Sequence, residues 1–477
     1  MNENVFEKSV EGRRGVIFPH LDVETSEIPE WIARKSPIGL PSLSQLDVVR
    51  HFVRLSHKNF SVDTHFYPLG SCTMKFNPKI NEYAGSLDGF INIHPYQDST
   101  QVQGALEIIY GLENALGKIT GFPHVPLAPN AGAQGEYVGV TMIKKYFESR
   151  GESRSIAIIP DSAHGTNPAS AVMAGFKTIQ VKSSDRGMVD IDHLKQLLTK
   201  DVACIMLTNP NTLGLFEEDI LEISDLLKKN GSLLYYDGAN LNAIVGKVRP
   251  SDMGFDVMHI NLHKTFSTPH GGGGPGCGPV CVSEKLKDFL PYPKVIKHPE
   301  KGTYQLDSSR EKSIGRIRWF YGNFLIILRA YVYIITLGID GLQKVSELAV
   351  LNANYVKERL KKIFHVPYDK ICMHEFIISM KSIKSDHGVT ALDLAKRLID
   401  DGIHPPTIYF PLIVQEAMMI EPTETESKET LDHFITIMEA IYADILKDKA
   451  KVQGAPYNTP VSRLDEVKAV KEPKLTV

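Results

Sequence analysis

Six short apolar runs, separated by stretches of helical periodicity, occupy the middle of the chain. Several are bounded by Pro, Asn, Asp or Gly, which commonly end regular structure. Apolar runs that alternate with helices are typical of a mostly parallel sheet with crossover helices. The runs are SIAIIP at 155–160, KTIQV at 177–181, ACIMLT at 203–208, SLLYYD at 232–237, VMHINLH at 257–263 and GPVCV at 278–282. The pattern predicts an α/β layered domain.

Helical periodicity is clearest on both sides of a loop at 122–136. Residues 101–121 carry apolar side chains at steps of three and four, which predicts an amphipathic helix ending at Gly121. The loop PNAGAQGE at 129–136 opens a second helical stretch, YVGVTMIKKYFES. The longest apolar stretch, at 323–338, is interrupted by Arg329 and is short for a bilayer crossing, so a buried helix is predicted there.

A change of pattern after residue 285 predicts a second, smaller unit. A Pro-rich loop is predicted at 291–299, and two helical patterns at 341–364 and 390–402 are interleaved with the strand candidate HEFIISM at 374–380. This mixture is typical of an α+β domain. The predicted limits are an N-terminal arm with helices at 1–90, a large cofactor-binding domain at 91–335, a small domain at 336–446 and an extended, charged tail at 447–477.

Composition restricts the possible functions. The chain has 477 residues, of which 43% are hydrophobic and 23% charged, which is ordinary for a globular protein and gives no indication of a membrane protein. With 53 basic and 56 acidic residues, the formal charge of −3 gives no indication of nucleic-acid binding. The first fifteen residues contain no apolar export signal, and the five cysteines form no CxxC pair. We therefore expect a cytoplasmic protein without a metal centre.

Polar residues that could take part in catalysis or ligand binding lie just after the predicted strands. They are His164, Thr208, Asp237, His263 and Lys264. Ligands of open α/β sheets bind at the carboxyl ends of the strands, so these side chains are expected to share one crevice. Taken singly, each has an ordinary structural explanation, such as a turn, a buried hydrogen bond or a solvated charge.

Together, these residues suit pyridoxal phosphate. An aldehyde cofactor needs an amine, and Lys264 lies between an apolar run and glycines, where partial burial would favour its nucleophilic form. Asp237 would pair with the protonated pyridine nitrogen, and His164 could stack on the ring. The phosphate would rest on the N-terminus of the helix after 129–136, with Ala133 and Gln134 as donors.

The glycine cluster after Lys264 permits a competing interpretation. Gly271, Gly273 and Gly276 satisfy GxGxxG. A dinucleotide fingerprint should open a helix after the first strand of a βαβ unit, whereas Pro275 and Pro279 disfavour a helix and a strand follows. The segment is predicted either to shape the floor or a movable flap of the site, or to form a packing turn.

Six motifs carry a resemblance to a known family. They are YPLGSCTMKFNP at 67–78, PNAGAQGEY at 129–137, SAHGTNPASA at 162–171, DGANLNA at 237–243, LHKTFSTPHGGGGPGCGP at 262–279 and EPTETES at 421–427. The chain resembles the pyridoxal-phosphate subunit of two-subunit glycine dehydrogenase (decarboxylating), the P-protein of the glycine cleavage system. The resemblance extends over nearly the whole chain, and the length together with Lys264 points to subunit 2.

The resemblance implies a fold and an activity. The fold is the type I pyridoxal-phosphate transferase fold, with a large, mostly parallel-sheet domain and a smaller C-terminal α+β domain. The activity is decarboxylation of glycine, with release of carbon dioxide and transfer of the aminomethyl group to the lipoyl arm of H-protein. P-protein subunit 1 would be the partner, in a heterodimer that pairs into a dimer of heterodimers.

The resemblance also implies site residues. Lys264 would form the Schiff base, Asp237 would pair with the pyridinium nitrogen and His164 would stack on the ring. The other cofactor-binding residues would be Ala133 and Gln134 at the phosphate, Thr208 at the side of the ring hydroxyl, His263 at the phosphate, and Asn240. No spacing identifies the residue that holds the glycine carboxylate. Candidates for that role or for the lipoyl channel are His65, Tyr67, Cys72, His94 and Tyr96, each more readily explained as structural.

Two other functions stay open at this point. One is another type I pyridoxal-phosphate enzyme, an amino-acid decarboxylase or a cysteine desulfurase that acts without H-protein. The other is a scaffold that kept the fold and lost the cofactor, against which the set of Lys264, Asp237 and His164 argues. The acidic segment 421–427 could shape the H-protein entrance, or it could simply cap the helix that follows.

Overall fold

The computed structural model describes residues 4–271 and 276–475. The part of the glycine cluster at 272–275, and with it the predicted flap or packing turn, lies largely outside these residues. The α-helices of the described chain are Gln45–Ser56 (α1), Lys79–Gly85 (α2), Asp88–Ile91 (α3), Gln103–Thr120 (α4), Gly132–Ser149 (α5), Thr166–Met173 (α6), Ile191–Leu197 (α7), Ile220–Asn230 (α8), Phe324–Leu360 (α9), Lys381–His387 (α10), Ala391–Asp400 (α11), Lys428–Lys447 (α12), Lys449–Gln453 (α13) and Glu466–Lys471 (α14).

The six predicted strands form one sheet. They are Ile156–Pro160 (β1), Lys177–Val181 (β2), Val202–Thr208 (β3), Leu233–Gly238 (β4), Val257–Ile260 (β5) and Val280–Val282 (β6), in the order β2-β1-β3-β4-β5-β6. Neighbours are parallel except for β6, which runs antiparallel to β5. The central strands are buried along nearly their whole length, as expected for a sheet covered on both faces.

The helices around the loop 122–136 also agree with the sequence. α4 ends at Gly121, whose φ of +81° is the left-handed conformation that favours glycine at a helix C-terminus. α5 begins within PNAGAQGE and packs on the sheet, mainly against β5. Its first residue therefore lies at the carboxyl edge of the strands, where ligands of such sheets bind.

Smaller sheets complete the strand content. Phe376–Ser379 (β9), the predicted strand, pairs with Ala417–Ile420 (β11), which pairs with Thr407–Ile408 (β10). The predicted Pro-rich loop at 291–299 is partly wrong: Lys294–Lys297 (β7) pairs with Tyr304–Asp307 (β8) in a hairpin. The prolines of this segment, at 291, 293 and 299, lie outside residues 294–297, so these residues can pair once β8 is adjacent.

Helix α9 connects two hydrophobic cores. Its first half, with Ile326, Ile327 and Ala330, belongs to the core under the large sheet, and its end, with Val356 and Leu360, belongs to the core around β9 and α12. α9 is long and apolar enough to span a membrane by length and composition, but Gly338 has a non-helical conformation that divides it into two shorter helices. The predicted domain limit at 335/336 falls inside α9 and stays a prediction.

The N-terminal residues extend away from both cores. From residue 4 to the start of α1 they contain only turns and bends, and several large apolar side chains are exposed. Ile17, Phe18 and Trp31 expose 85%, 83% and 84% of their surface. Monomeric proteins rarely expose so many large apolar side chains in one segment, so the arm has the character of an unpaired interface.

Candidate active site

A cavity of about 140 Å³ opens at the carboxyl ends of β1, β3, β4 and β5. Of the eight residues predicted for the site, six line it and two, Gln134 and His263, do not. The cavity is lined by Ser71, Gly132, Ala133, Glu136, His164, Thr166, Thr208, Pro210, Asn211, Thr212, Asp237, Ala239, Asn240, Asn261, Lys264, His374 and Glu375. We call the part built by strand ends and α5 the strand-end wall, and the part built by His374, Glu375 and the adjacent Glu421 the acidic wall.

Strand register places the centre of the strand-end wall. Thr208 on β3 lies opposite Asp237 on β4, and Asp237 lies opposite His259 on β5. Because parallel neighbours in register present side chains to the same face, the three groups stand in one row. Thr208 Oγ1 is buried without a hydrogen-bond partner among the described residues, so the row ends in a polar atom free to meet a ligand.

Asp237 is buried and held by several donors. Its Oδ2 accepts from Asn167 Nδ2 at 2.9 Å, its Oδ1 accepts from the Ala239 amide at 3.1 Å, and His259 Nε2 lies 3.3 Å from Oδ1. Burial alone would raise the pKa of Asp237, but His259, these two donors and the positive charge of Lys264 reverse the effect and lower it. The carboxylate is therefore ionised and suited to pair with a cation.

Lys264 enters the cavity from the loop after β5. Its backbone amide donates to Asn261 O at 3.0 Å, which fixes the turn that carries it. Within residues 4–271 and 276–475, its Nζ makes no hydrogen bond or ion pair, although its charge acts on Asp237, Glu375 and Glu421. A half-buried amino group without a fixed partner can reach a ligand in the cavity.

The N-terminus of α5 borders the same cavity. The first backbone hydrogen bond of the helix runs from the Gly135 amide to Ala131 O, so the amides of Gly132, Ala133 and Gln134 lack helical acceptors. A Cβ on Gly132 would lie 2.2 Å from Asn261 Oδ1, which explains why glycine is needed at this close approach. Within the described part of the chain, no side chain caps the helix, so its N-terminus can receive an anion.

His164 and Asn240 border the cavity on different sides. His164 is exposed, and its Nδ1 lies 2.9 Å from Thr166 Oγ1, which positions the ring at the cavity mouth. Asn240 donates from Nδ2 to Glu421 Oε1 at 3.0 Å and also to Thr73 Oγ1. Asn240 therefore joins the strand-end wall to the acidic wall.

His263 lies behind the site. Its ring is 5.1 Å from that of His270, and its Nδ1 has no partner among the described residues. Burial, with His270 and Lys264 nearby, lowers the pKa of His263 to about 3, so the ring is neutral. Its predicted contact with a phosphate, like the predicted roles of the other site residues, stays a prediction.

The acidic wall was not predicted. Ligand atoms of His374, Glu375 and Glu421 lie within 4.8 Å of one another, and all three residues are buried. Burial and Glu421 raise the pKa of Glu375 to about 8, and burial raises that of Glu421 to about 7. The one available signal was the His-Glu pair that opens the strand candidate at 374–380, where buried charge is unusual.

A larger cavity of about 470 Å³ lies elsewhere, between α3, α4 and the start of α9. Its lining is mostly apolar and includes Arg318 and Arg329 but no lysine. Arg329 is already paired with Glu82 at 2.9 Å. A Schiff-base cofactor therefore fits the smaller cavity and not the larger one.

Comparisons with known proteins agree with this site. The probable glycine dehydrogenase (decarboxylating) subunit 2 of Kosmotoga olearia is 56% identical over 476 residues, which cover 99% of this chain and 98% of the relative. The probable subunit 2 of Thermotoga maritima is 54% identical over 470 residues, 98% of both chains. The chain belongs to the glycine dehydrogenase (decarboxylating) subunit 2 family. The predicted family is thereby confirmed.

Family models and a solved structure support the fold. Residues 140–300 match the class-V aminotransferase model, and residues 345–460 match the model for the glycine dehydrogenase C-terminal domain. A crystal structure of glycine decarboxylase (P-protein) of the glycine cleavage system, in inhibitor-bound form, superposes with a TM-score of 0.73 at 19% identity, covering 87% of this chain and 93% of that chain. The predicted transferase fold is confirmed, and with it dependence on pyridoxal phosphate.

The residues present fit that cofactor. The unpartnered Thr208 Oγ1, the uncapped N-terminus of α5, the ionised Asp237 and the free Lys264 Nζ meet at one cavity. An anion, a cationic ring nitrogen, a hydroxyl and an aldehyde each find a complementary group there. Among the described residues, the cavity lining contains no other lysine and no arginine.

Proposed function

We propose that this chain holds pyridoxal phosphate through Lys264, decarboxylates glycine and passes the aminomethyl group to the lipoyl arm of H-protein. Family membership makes the chain a subunit of decarboxylating glycine dehydrogenase, so the predicted enzyme activity is confirmed. The attachment point and the acceptor are the proposal. The observation that carries it is the convergence of Lys264, Asp237 and the N-terminus of α5 on one cavity.

Each group of the strand-end wall has a distinct task. The amide of Ala133, which lines the cavity, and that of Gln134, the next residue of α5, would bind the phosphate, whose charge the helix dipole would stabilise. Asp237 pairs with the pyridine nitrogen and keeps it protonated, while Asn167 and His259 keep the carboxylate in place. His164 would cover one face of the ring, and Thr208 would donate to the ring hydroxyl. These contacts orient the reacting bond without moving during the reaction.

Pyridoxal phosphate, once bound, supplies an electron sink for the bond that breaks. Lys264 supplies the proton chemistry around it. With the substrate bound, the amino group of Lys264 would remain in the cavity and could accept or return a proton at Nζ. The buried residues of the cavity would limit the access of water during the reaction.

The partner subunit completes the enzyme. The name subunit 2 implies a second subunit, and we assign the exposed arm at residues 4–42 to its interface because Ile17, Phe18 and Trp31 are apolar and uncovered. A dimer of heterodimers is the proposed assembly, with the cytoplasm as its compartment. Removal of the arm is expected to abolish co-purification with subunit 1.

Reductive trapping tests the cofactor site. The purified complex should absorb in the visible range, and borohydride should fix the cofactor on the peptide that contains Lys264. Lys264→Ala should lose the trapped label, whereas Lys362→Ala, an exposed lysine, should keep it. A label on another lysine, or no visible band after added cofactor, would overturn the assignment.

Another pyridoxal-phosphate decarboxylase or a desulfurase is not favoured, because the full-length relatives share one glycine dehydrogenase name. Exchange of labelled bicarbonate with the glycine carboxyl group, measured with and without lipoylated H-protein, separates these functions. Exchange that H-protein strongly accelerates is expected. Turnover of a larger amino acid without H-protein would favour the alternative.

A further inference from the structure

The acidic wall presents one carboxyl group to the cavity and keeps the other behind it. Glu421 is fully used: its Oε2 accepts from the Thr73 amide at 3.0 Å, and its Oε1 accepts from Thr73 Oγ1 at 2.6 Å and from Asn240 Nδ2 at 3.0 Å. Among the described residues, Glu375 accepts one hydrogen bond, from the Ser71 amide to Oε2 at 2.8 Å. Its Oε1 has no hydrogen bond within the described chain, and Glu375 lines the cavity whereas Glu421 does not.

Two buried carboxyl groups this close hold one proton between them, because both charges together would be strongly unfavourable. Three donors stabilise the charge on Glu421, so the proton resides on Glu375. The other titratable groups whose charges interact with this pair are Lys264, Cys72 and Cys372, and His374 Nε2 lies 3.8 Å from Glu375 Oε1. The pKa of Glu375, raised to about 8, agrees with a protonated Glu375 beside an ionised Glu421.

His374 adds a second polar atom to the same place. It lines the cavity, only 3% of its surface is exposed, and its Nδ1 has no hydrogen-bond partner among the described residues. Burial and the charge of Lys264 lower the pKa of His374 to about 3, so its ring is neutral and can donate from one nitrogen. A buried polar atom without a partner indicates a ligand that completes it.

We propose that Glu375, as a carboxylic acid, and His374 form the subsite for the carboxylate of glycine. This inference rests on the proposed function, since it places the substrate in the cavity that holds the cofactor. A carboxylate needs donors, and the one lysine of the described lining, Lys264, is assigned to the cofactor. The acidic wall supplies two donors for it, a carboxylic acid on Glu375 and a neutral imidazole on His374.

Neutral donors suit a carboxylate that must leave. An arginine or lysine would stabilise the charged ground state strongly, and that stabilisation would be lost when the charge moves away as carbon dioxide departs. A carboxylic acid and a neutral imidazole orient the group with less ground-state stabilisation. The subsite therefore selects an amino acid with a carboxylate and still allows that group to depart.

Binding to the intact complex, loaded with cofactor, tests the subsite. Glycine and methylamine, which has the amino group and no carboxylate, are titrated by the change in cofactor absorbance with wild type, Glu375→Leu and Glu375→Gln. Glu375→Leu should lower the affinity for glycine about 10- to 100-fold, because a hydrogen bond to a charged group is lost. The affinity for methylamine should stay within about twofold of wild type. Glu375→Gln keeps a donor, so its affinity for glycine should stay close to wild type.

The pH dependence gives a second readout. Wild-type affinity for glycine, relative to methylamine, should fall above pH 8 as Glu375 loses its proton, and Glu375→Gln should remove that fall. If Glu375→Leu lowered the affinities for both ligands equally, or left the affinity for glycine unchanged, the proposed subsite would be wrong. Failure of the proposed function is distinct, because the cofactor band and its response to methylamine would then be missing in wild type as well.

Discussion

The two walls of the cavity are built in different ways. The strand-end wall comes from consecutive strands of one sheet, and its residues lie in register, as with Thr208 opposite Asp237. The acidic wall comes from segments around residues 73, 375 and 421, joined by hydrogen bonds such as Thr73 to Glu421. The first wall is fixed by secondary structure and contains the ionised Asp237, whereas the second depends on tertiary contacts and keeps Glu375 protonated.

The largest expected effect falls on the strand-end wall. Asp237→Asn removes the charge that pairs with the ring nitrogen and leaves a buried cation unpaired, so we expect about a 10³-fold loss in glycine-dependent bicarbonate exchange. Asp252→Asn, on an exposed carboxylate, is the control and should keep wild-type activity. A loss below about tenfold for Asp237→Asn would show that the carboxylate does not support the cofactor.

A buried ion pair beside the two walls gives the next effect. Lys75 Nζ lies 2.5 Å from Glu424 Oε1 and donates to Thr265 O at 2.8 Å, next to Lys264. Lys75→Met should lower the free energy of unfolding by about 3 kcal/mol, because Glu424 is left buried without its partner.

Urea unfolding of the single and double variants measures the coupling of this pair. Adding Glu424→Gln to Lys75→Met should recover part of the loss, since no unpaired charge then remains. Strictly additive losses in the double variant would contradict the coupling.

The acidic wall should make stability depend on pH. A carboxyl group whose pKa is raised on folding binds its proton more tightly in the folded state, so its contribution is present below pH 4.5 and lost as pH rises to about 8. His374 acts oppositely: its lowered pKa makes stability rise with pH between about 3 and 6.5. Above pH 6.5 the carboxyl effect remains, at no more than about 1.4 kcal/mol per pH unit for one proton.

Chemical denaturation at pH 6.5, 7, 7.5 and 8 tests this sign. Wild type should lose stability across the series relative to Glu375→Gln, which cannot titrate at this position. Parallel curves for the two proteins would mean that Glu375 and Glu421 do not share a proton.

The smallest effect concerns the anchoring of the acidic wall. Ser427 caps α12, accepting from the Thr430 amide at 3.2 Å, and this fixes the end of the segment that starts at Glu421. Ser427→Ala should cost about 1 kcal/mol of stability in thermal or urea unfolding. Ser308→Ala, at an exposed serine outside the helices, should leave the stability unchanged. Equal losses of stability in both variants would show that Ser427 does not stabilise α12 as a cap.

Local patterns predicted the sheet and most of its site. Apolar runs located all six strands of the large sheet. The rule that ligands bind at strand ends predicted one shared crevice for four residues that line the cavity, Lys264, Asp237, Thr208 and His164. The hairpin of β7 and β8 escaped prediction because its pairing depends on two strands of four residues with prolines nearby. The support of Asp237 by His259 also escaped, because an inward-facing histidine within an apolar strand has no local signature.

By itself the sequence determined the family, the α/β fold and the cofactor, since periodicity and short motifs act over a few residues and keep their meaning in any context. Only the tertiary structure decided that Glu375 and Glu421 face each other beside Lys264, because they are 46 residues apart along the chain and meet only through β9 and β11. Burial and proximity set how those carboxyl groups titrate, and both are properties of the folded chain.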